Sequence, residues 1–222
     1  MPNPQAGATI VRWRILALII LACFVGYFLR SNMSVAGEAM MRDLSLSKAQ
    51  LGFILAGFAW GYAAFQFAGG VLGERLGARR IITLCLLAWG VLNLLVGLVP
   101  SAGVLPVTAI LVTLVVLRTL MGVAQAPLFP VVGGPMVCAW FPIGGWAVPS
   151  GLQNVGLTFG AAATPPVIAW LMQEFGWRAS FVITAPLGLA LAIVWRWYVR
   201  DTPQSHPGVN REELALIDAN RP

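Results

Sequence analysis

Apolar residues fill six long stretches of this 222-residue chain, and short polar clusters punctuate them. A helix that crosses a bilayer needs about 20 consecutive apolar residues. The stretches near 13–34, 50–72, 81–99, 105–130, 148–172 and 179–199 each meet that length, and the first helix is expected to continue toward Met41. Turn-forming segments separate them, "VPSAGVLP" after the third and "WFPIGGWAVPS" after the fourth. The pattern predicts an all-α integral membrane protein of six transmembrane helices. Residues 1–12 precede the bundle at 13–199, and the polar, proline-containing residues 200–222 form a tail or the start of a linker. Arg12 and Arg14 precede the first apolar run as in a signal peptide, but five further spans follow it, so it is read as an uncleaved helix.

Composition agrees. Charged residues make up 10% of the chain and hydrophobic residues 59%, with a mean hydropathy of +0.82, whereas soluble domains carry about 25% charged residues. The net charge of +6 does not point to nucleic acid, because the basic residues stand in small groups between the apolar runs. Placing both termini in the cytoplasm puts nine basic residues inside (Arg12, Arg14, Arg75, Arg79, Arg80, Arg196, Arg200, Arg211 and Arg221) against three outside (Arg42, Lys48 and Arg178). That bias predicts a multi-pass protein of the cell (inner) membrane in this orientation. Trp13, Trp140, Trp146, Trp177, Trp195 and Trp197 lie near span ends, as an aromatic belt at the membrane surface would have them. Cys23, Cys85 and Cys138 and the lone His206 show no metal-ligand spacing, so no metal or cofactor is expected, and the cysteines read as packing residues.

A faint repeat runs through the chain. "LGARR" follows the second span and "FGWRA" the fifth, so Gly77 and Arg79 stand 99 residues before Gly176 and Arg178. One copy lies at each membrane face, the mark of an inverted three-plus-three repeat. Gly57 and Gly61, and Gly156 and Gly160, form small-xxx-small pairs suited to close helix contact. Pro165 and Pro166 are expected to bend the fifth helix.

The charges inside the spans carry the functional signal. All eight acids (Glu38, Asp43, Glu74, Glu174, Asp201, Glu212, Glu213 and Asp218) fall at helix ends, in loops or in the tail, whereas Arg30 and Arg118 fall within spans. Each such arginine costs roughly 2.5–3.5 kcal/mol near the bilayer centre. Two placements offset that. The side chains reach the headgroups or bond carbonyls freed by Pro127 and Pro130, or they line a water-filled cavity and hold an anion, most naturally a carboxylate in bidentate geometry.

At this point the residues carry a family resemblance. "GGVLGERLGARR" resembles the signature loop between helices 2 and 3 of the major facilitator superfamily, through Gly70, Glu74, Arg75, Gly77, Arg79 and Arg80. "YFLRSNMSVAG", "GFAWGYAAFQFAGG", "RTLMGVAQAPLFP", "WFP", "GWR" and "RDTPQSHP" resemble the anion:cation symporters, the hexuronate, aldarate, galactonate and phthalate carriers, over nearly the whole chain. The resemblance implies the N-terminal six-helix half of an alternating-access carrier of organic anions, sugar acids or aromatic acids. Arg30 and Arg118 match the arginines that grip the carboxylate, Tyr27 and Tyr62 match hydroxyl donors, and Gln125, Gln153 and Asn154 are candidate contacts to substrate. Glu74 and Arg75 match residues of the cytoplasmic gate, which in the family closes partly against the other half.

The departures matter too. Many relatives carry a glutamate seven residues after the helix 4 arginine, where this chain has Gln125, and proton-coupled ones often have an aspartate where it has Leu29. Coupling by protons through these positions is therefore not expected. Gly145 and Trp146 replace a Glu-Arg pair after "WFP". The family fold has twelve helices with substrate between two halves, so this chain is expected to be a fragment, or to pair with a missing C-terminal half or a second chain. Alone it is expected to expose both arginines and not to transport. Two other readings compete with this one. A rhomboid-like protease fails because His206 lies beyond the last span. A non-transporting six-helix protein, a sensor or assembly factor derived from a carrier half, remains.

Overall fold

The computed structural model describes residues 7–219; Arg221 and the outer ends of the 1–12 and 200–222 segments lie outside the described residues. Five helices are long and apolar enough to cross a membrane, and the last of them, Ile143–Tyr198, contains two spans. We label them α1 (Val11–Leu44), α2 (Lys48–Leu76), α3 (Ala78–Gly97) and α4 (Val107–Trp140), then α5 (147–175) and α6 (177–198). The α5–α6 boundary is Gly176, whose φ of 82° and ψ of 166° interrupt otherwise helical torsions. Gly77 makes the equivalent break between α2 and α3, with φ 84° and ψ 147°. Positive φ is easy only for glycine, so the two members of the repeat occupy matching corners of the bundle.

The helices pair through glycine. On α2, Gly57, Gly61, Gly69 and Gly73 face Val115, Thr119, Pro127 and Val131 of α4 in order, so these helices run parallel. Gly156 and Gly160 of α5 meet the Ile20 and Phe24 carbonyls of α1 in the same way. The glycine pairs 57/61 and 156/160 are themselves 99 residues apart, so the α2–α4 and α1–α5 packings are two copies of one arrangement. Gly90 and Gly188 join α3 to α6, which run antiparallel. The two helices also exchange arginines. Arg79, at the start of α3, donates to the Arg196 carbonyl near the end of α6, and Arg178, at the start of α6, donates to the Val99 carbonyl just past α3. Asn32, Asn93, Ser180 and Thr184 hydrogen-bond to one another between α1, α3 and α6, which satisfies their polar groups away from water.

Three expectations change. α4 does not stop near residue 130. It continues past Pro127 and Pro130 and through a π-turn at Val132–Met136, which carries Pro135, to Trp140. Widening the turn is how a helix absorbs a residue that cannot donate its N–H. Pro165 and Pro166 lie inside α5 with helical torsions, and Gly176 alone departs from them. Among the tryptophans near span ends, Trp140, Trp177 and Trp195 are buried inside the bundle, whereas Trp13 and Trp197 are exposed. Position along a helix sets a residue's depth, but its face decides between lipid and core. Cys23 and Cys85 are buried as packing residues, while Cys138 is exposed.

The residues after α6 fold back. A short helix, α7 (Arg211–Asp218), brings the fully buried Glu213 to the start of α1. Its carboxylate accepts from the backbone N–H of Val11 (3.1 Å) and Arg12 (2.9 Å) and from the Thr9 hydroxyl (2.5 Å). A carboxylate on the free N–H groups of a helix start is favoured by both hydrogen bonding and the helix dipole. The segment is thus a strap tying the chain after α6 to the start of α1. Burial, together with the nearby Arg200 charge, holds the His206 imidazole in this strap below its ordinary pKa.

Candidate functional site

α1 and α4 run in opposite directions, which places their arginines at one level. Arg30 stands fourteen residues before the end of α1, and Arg118 stands eleven after the start of α4. At 1.5 Å per residue both lie roughly 15–20 Å from the end of the bundle opposite the termini. Arg118 reaches across and donates through Nη1 (3.2 Å) and Nη2 (3.3 Å) to the backbone carbonyl of Arg30. The Arg30 guanidinium lies over the Phe58 ring of α2, 4.3 Å from its centroid, with Tyr27 at 5.1 Å and Tyr62 at 5.8 Å. Arg118 lies 5.3 Å from the same Phe58 ring. Tyr62 stacks on Phe58 with ring planes 17° apart.

This geometry corrects one expectation. Arg118 is not exposed on the open face: it is 6% accessible, and only Arg30 is half-buried. Neither reading of the pair drawn from sequence foresaw the acceptor, which is the partner arginine's own backbone and not a carbonyl freed at Pro127 or Pro130. Aromatic faces offset part of the charge, each cation–π contact contributing about 0.5–2 kcal/mol. They supply no negative charge, however, and the Arg118 Nε is buried without a hydrogen-bond partner. The ion pairs among the described residues, Glu38–Arg42 and Asp43–Arg178, lie elsewhere. The arrangement can accept an anion, and the direction of approach is set by space. The small cavity beside Arg118, lined by Leu29, Met33 and Leu117, holds about 10 Å³, far below the roughly 300–1,000 Å³ of a small-molecule site. Arg30, Tyr27 and Tyr62, all half-buried, are the accessible side of the pair.

Phe58 is the member of this site that sequence reasoning missed. It sits one turn before Tyr62 and next to Gly57, and a stripe of that kind on α2 was the available signal. Gly122, one turn beyond Arg118, lies against the Phe58 carbonyl. That close approach brings Phe58 beneath both guanidinium groups.

The polar candidates fall elsewhere. Gln125, two turns from Arg118, is buried with both amide atoms unpartnered, near Gly26 of α1 and close to Trp89 of α3. Gln153 is buried against Gly133, and Asn154 is exposed and donates to the Ser150 carbonyl of its own helix. Thr164 of α5 donates to the Phe28 carbonyl, which sets the register of α5 along α1. Gln153, eleven residues earlier on α5, consequently lies about 20 Å below the level of Arg30. The structure brings Arg30, Arg118, Tyr27 and Tyr62 together, and does not bring Gln153 and Asn154 to them.

The signature loop is built around Asp201, a partner the sequence did not point to. Its carboxylate accepts from the Arg79 N–H at 2.8 Å, and a side chain on Gly77 would strike it at 2.8 Å. Gly70 closes on Pro130. Glu74, Arg75 and Arg80 point outward and are exposed. Gln66, Gly70 and Glu74 border an open groove of about 700 Å³.

Comparison with known proteins adds the following. Residues 18–220 match the family model described as Major Facilitator Superfamily. The chain is 35% identical over 218 residues to the "Probable galactarate/D-glucarate transporter GudP" of Bacillus subtilis, covering 97% of this chain and 46% of that protein. It is 31% identical over 190 residues to the "Hexuronate transporter" of Bacillus subtilis, covering 86% of this chain and 43% of that protein. Among solved structures, a bacterial homolog of the human lysosomal transporter Spinster, inward-facing and occupied, superposes with a TM-score of 0.75 at 21% identity, over 90% of this chain and 47% of that one. The chain thus spans about half the length of the curated relatives it matches.

Proposed function

The chain belongs to the Major Facilitator Superfamily, and on that premise we propose that it forms the N-terminal six-helix wall of a carrier that moves small organic carboxylates by alternating access. The observation that carries this reading is the meeting of Arg30 and Arg118 over Phe58, with neither ion pair of the described residues involving them. A substrate carboxylate supplies the missing charge, and the Tyr27 and Tyr62 hydroxyls face the same side as donors. The substrates named for the relatives, galactarate, D-glucarate and hexuronate, favour sugar acids within this class. A second six-helix half, in the same or another chain, forms the opposite wall, against which Glu74 and Arg75 close. Both termini lie in the cytoplasm and the membrane is the cell (inner) membrane, in keeping with nine basic residues against three. Gln125 has no ionisable group, so coupling by protons through that position is not expected.

The test is thermal unfolding of the purified chain with D-glucarate, galactarate or galacturonate, and with the uncharged polyol sorbitol as the control. The sugar acids are expected to raise the unfolding temperature at millimolar concentration, since a single wall supplies only part of the affinity. Sorbitol is expected to leave it unchanged. Equal responses to acid and polyol would contradict the proposal and favour a non-transporting six-helix protein.

A further inference from the structure

At the end of the bundle that carries the termini, α3 and α6 part to leave a groove of about 600 Å³ facing outward, away from the arginine pair. Arg79, Arg196, Arg200, Trp197, Leu87 and Ile193 line it. The guanidinium groups are only partly used. Arg79 donates through Nε and Nη2 to the Arg196 carbonyl, and Arg200 donates through Nη1 to the carbonyls of Trp197 and Val199. Those bonds fix two of the groups in place and do not use Arg79 Nη1, Arg200 Nη2 or the exposed Arg196 guanidinium. The nearest acid, Asp201, is engaged by the Arg79 N–H, and neither ion pair of the described residues involves these arginines.

The apolar part has a direction. Leu87 follows Arg79 by two turns of α3, about 12 Å deeper, and Ile193 precedes Arg196 by about one turn of α6. Ile193 is 69% exposed and Trp197 76% exposed. Charge therefore lies at the membrane surface, an indole lies at the interface, and an apolar track leads inward from them. Orientation of a membrane protein by its basic residues requires charge at this face. It does not require three guanidinium groups gathered at the mouth of an apolar groove between two spans.

We propose that this groove binds an anionic phospholipid of the adjoining leaflet, its phosphate held by Arg79, Arg196 and Arg200 and one acyl chain lying along Leu87 and Ile193. Guanidinium suits a phosphate because it offers paired N–H groups in a plane, and basic pockets between spans near the membrane surface are where anionic headgroups bind. The acyl track separates this ligand from a free anion. The site is independent of the sugar-acid reading, since it lies on the opposite side of α3 and α6 and shares no residue with the arginine pair.

Native mass spectrometry of the detergent-purified chain, titrated with phosphatidylglycerol or with phosphatidylcholine of the same acyl chains, reads the proposal directly. One phosphatidylglycerol is expected to be retained at least ten-fold more tightly than phosphatidylcholine. Arg196→Gln with Arg200→Gln is expected to weaken retention about thirty-fold, as the loss of two surface arginines implies. Ile193→Trp fills the track without touching the charge or the turn that Arg200 holds, and is expected to weaken it at least ten-fold. Arg42→Gln, at the other membrane face, should change nothing. The proposal fails if phosphatidylcholine binds equally, if Ile193→Trp binds as the unaltered chain does, or if millimolar inorganic phosphate displaces the lipid.

Discussion

Arg118→Leu is expected to leave the unfolding free energy within about 1 kcal/mol of the unaltered chain, and to weaken carboxylate binding at least a hundred-fold. The first half follows from opposing terms of similar size. An arginine near mid-membrane costs roughly 2.5–3.5 kcal/mol on insertion scales, and leucine is slightly favourable there. Against that stand two long hydrogen bonds to the Arg30 carbonyl and one cation–π contact with Phe58, together of order 3 kcal/mol. Replacement therefore comes close to neutral for the fold. Binding has no such compensation. Truncating one partner of a buried hydrogen-bonded charge pair costs about 2–5 kcal/mol of binding, and about 2.8 kcal/mol is already a factor of one hundred. Thermal unfolding with and without D-glucarate separates the two halves of the prediction. A variant that loses stability by several kcal/mol and keeps its response to glucarate would assign Arg118 a purely structural role.

Gly61→Ala is expected to abolish recovery of folded protein, whereas Gly151→Ala leaves it unchanged or up to about 1 kcal/mol more stable. A methyl group on Gly61 would press into the Thr119 carbonyl oxygen and stand 3.1 Å from the Val123 nitrogen. Both are backbone atoms, so no side chain can swing aside and α2 must move off α4 as a body. Overpacking of this kind costs 1–3 kcal/mol where neighbours can adjust, and more where they cannot. Around Gly151 nothing lies within 4 Å, and alanine is the better helix former. Gly160→Ala should repeat the Gly61 result, because its methyl would meet the Phe24 carbonyl in the matching α1–α5 contact. Size-exclusion profiles and unfolding temperatures of the three variants check this. A well-folded Gly61→Ala protein would mean that the helices do not pack at the distance seen here. The same displacement would carry Phe58 away from the arginines, so fold and site share this contact.

Much of this organisation was legible in the sequence, and the illegible remainder has a common physical cause. Spans, the arginine pair and the Gly77/Gly176 correspondence follow from one-dimensional facts: run length, charge placement and a fixed offset. The offset was stronger than it first seemed, because Gly57/Gly61 and Gly156/Gly160 repeat it. Helix facing was harder to read. Trp140, Trp177 and Trp195 sit at belt depth but turn inward, and Gln153 and Asn154 are polar residues on a suitable helix that fall at the wrong level. A charge within a span points to an open cavity wall, yet the Arg118 guanidinium is tucked under α1, where a backbone carbonyl and a phenyl ring receive it. Such acceptors carry no sequence signal, since every residue has a carbonyl. Asp201 and Glu213 were hidden for a similar reason. Each bonds backbone N–H groups at a helix start brought near only by the fold, Asp201 at Arg79 and Glu213 at Val11 and Arg12.

The central claim is that a solute carboxylate completes the Arg30–Arg118 pair. Solid-state NMR dipolar recoupling between carboxyl-¹³C D-glucarate and arginine-¹⁵N protein in lipid bilayers measures that contact. The expected result is a carboxylate carbon about 4 Å from guanidinium nitrogen, with the signal lost in Arg118→Leu. Recoupling to no arginine, or recoupling that persists unchanged in both Arg30→Leu and Arg118→Leu, would contradict it.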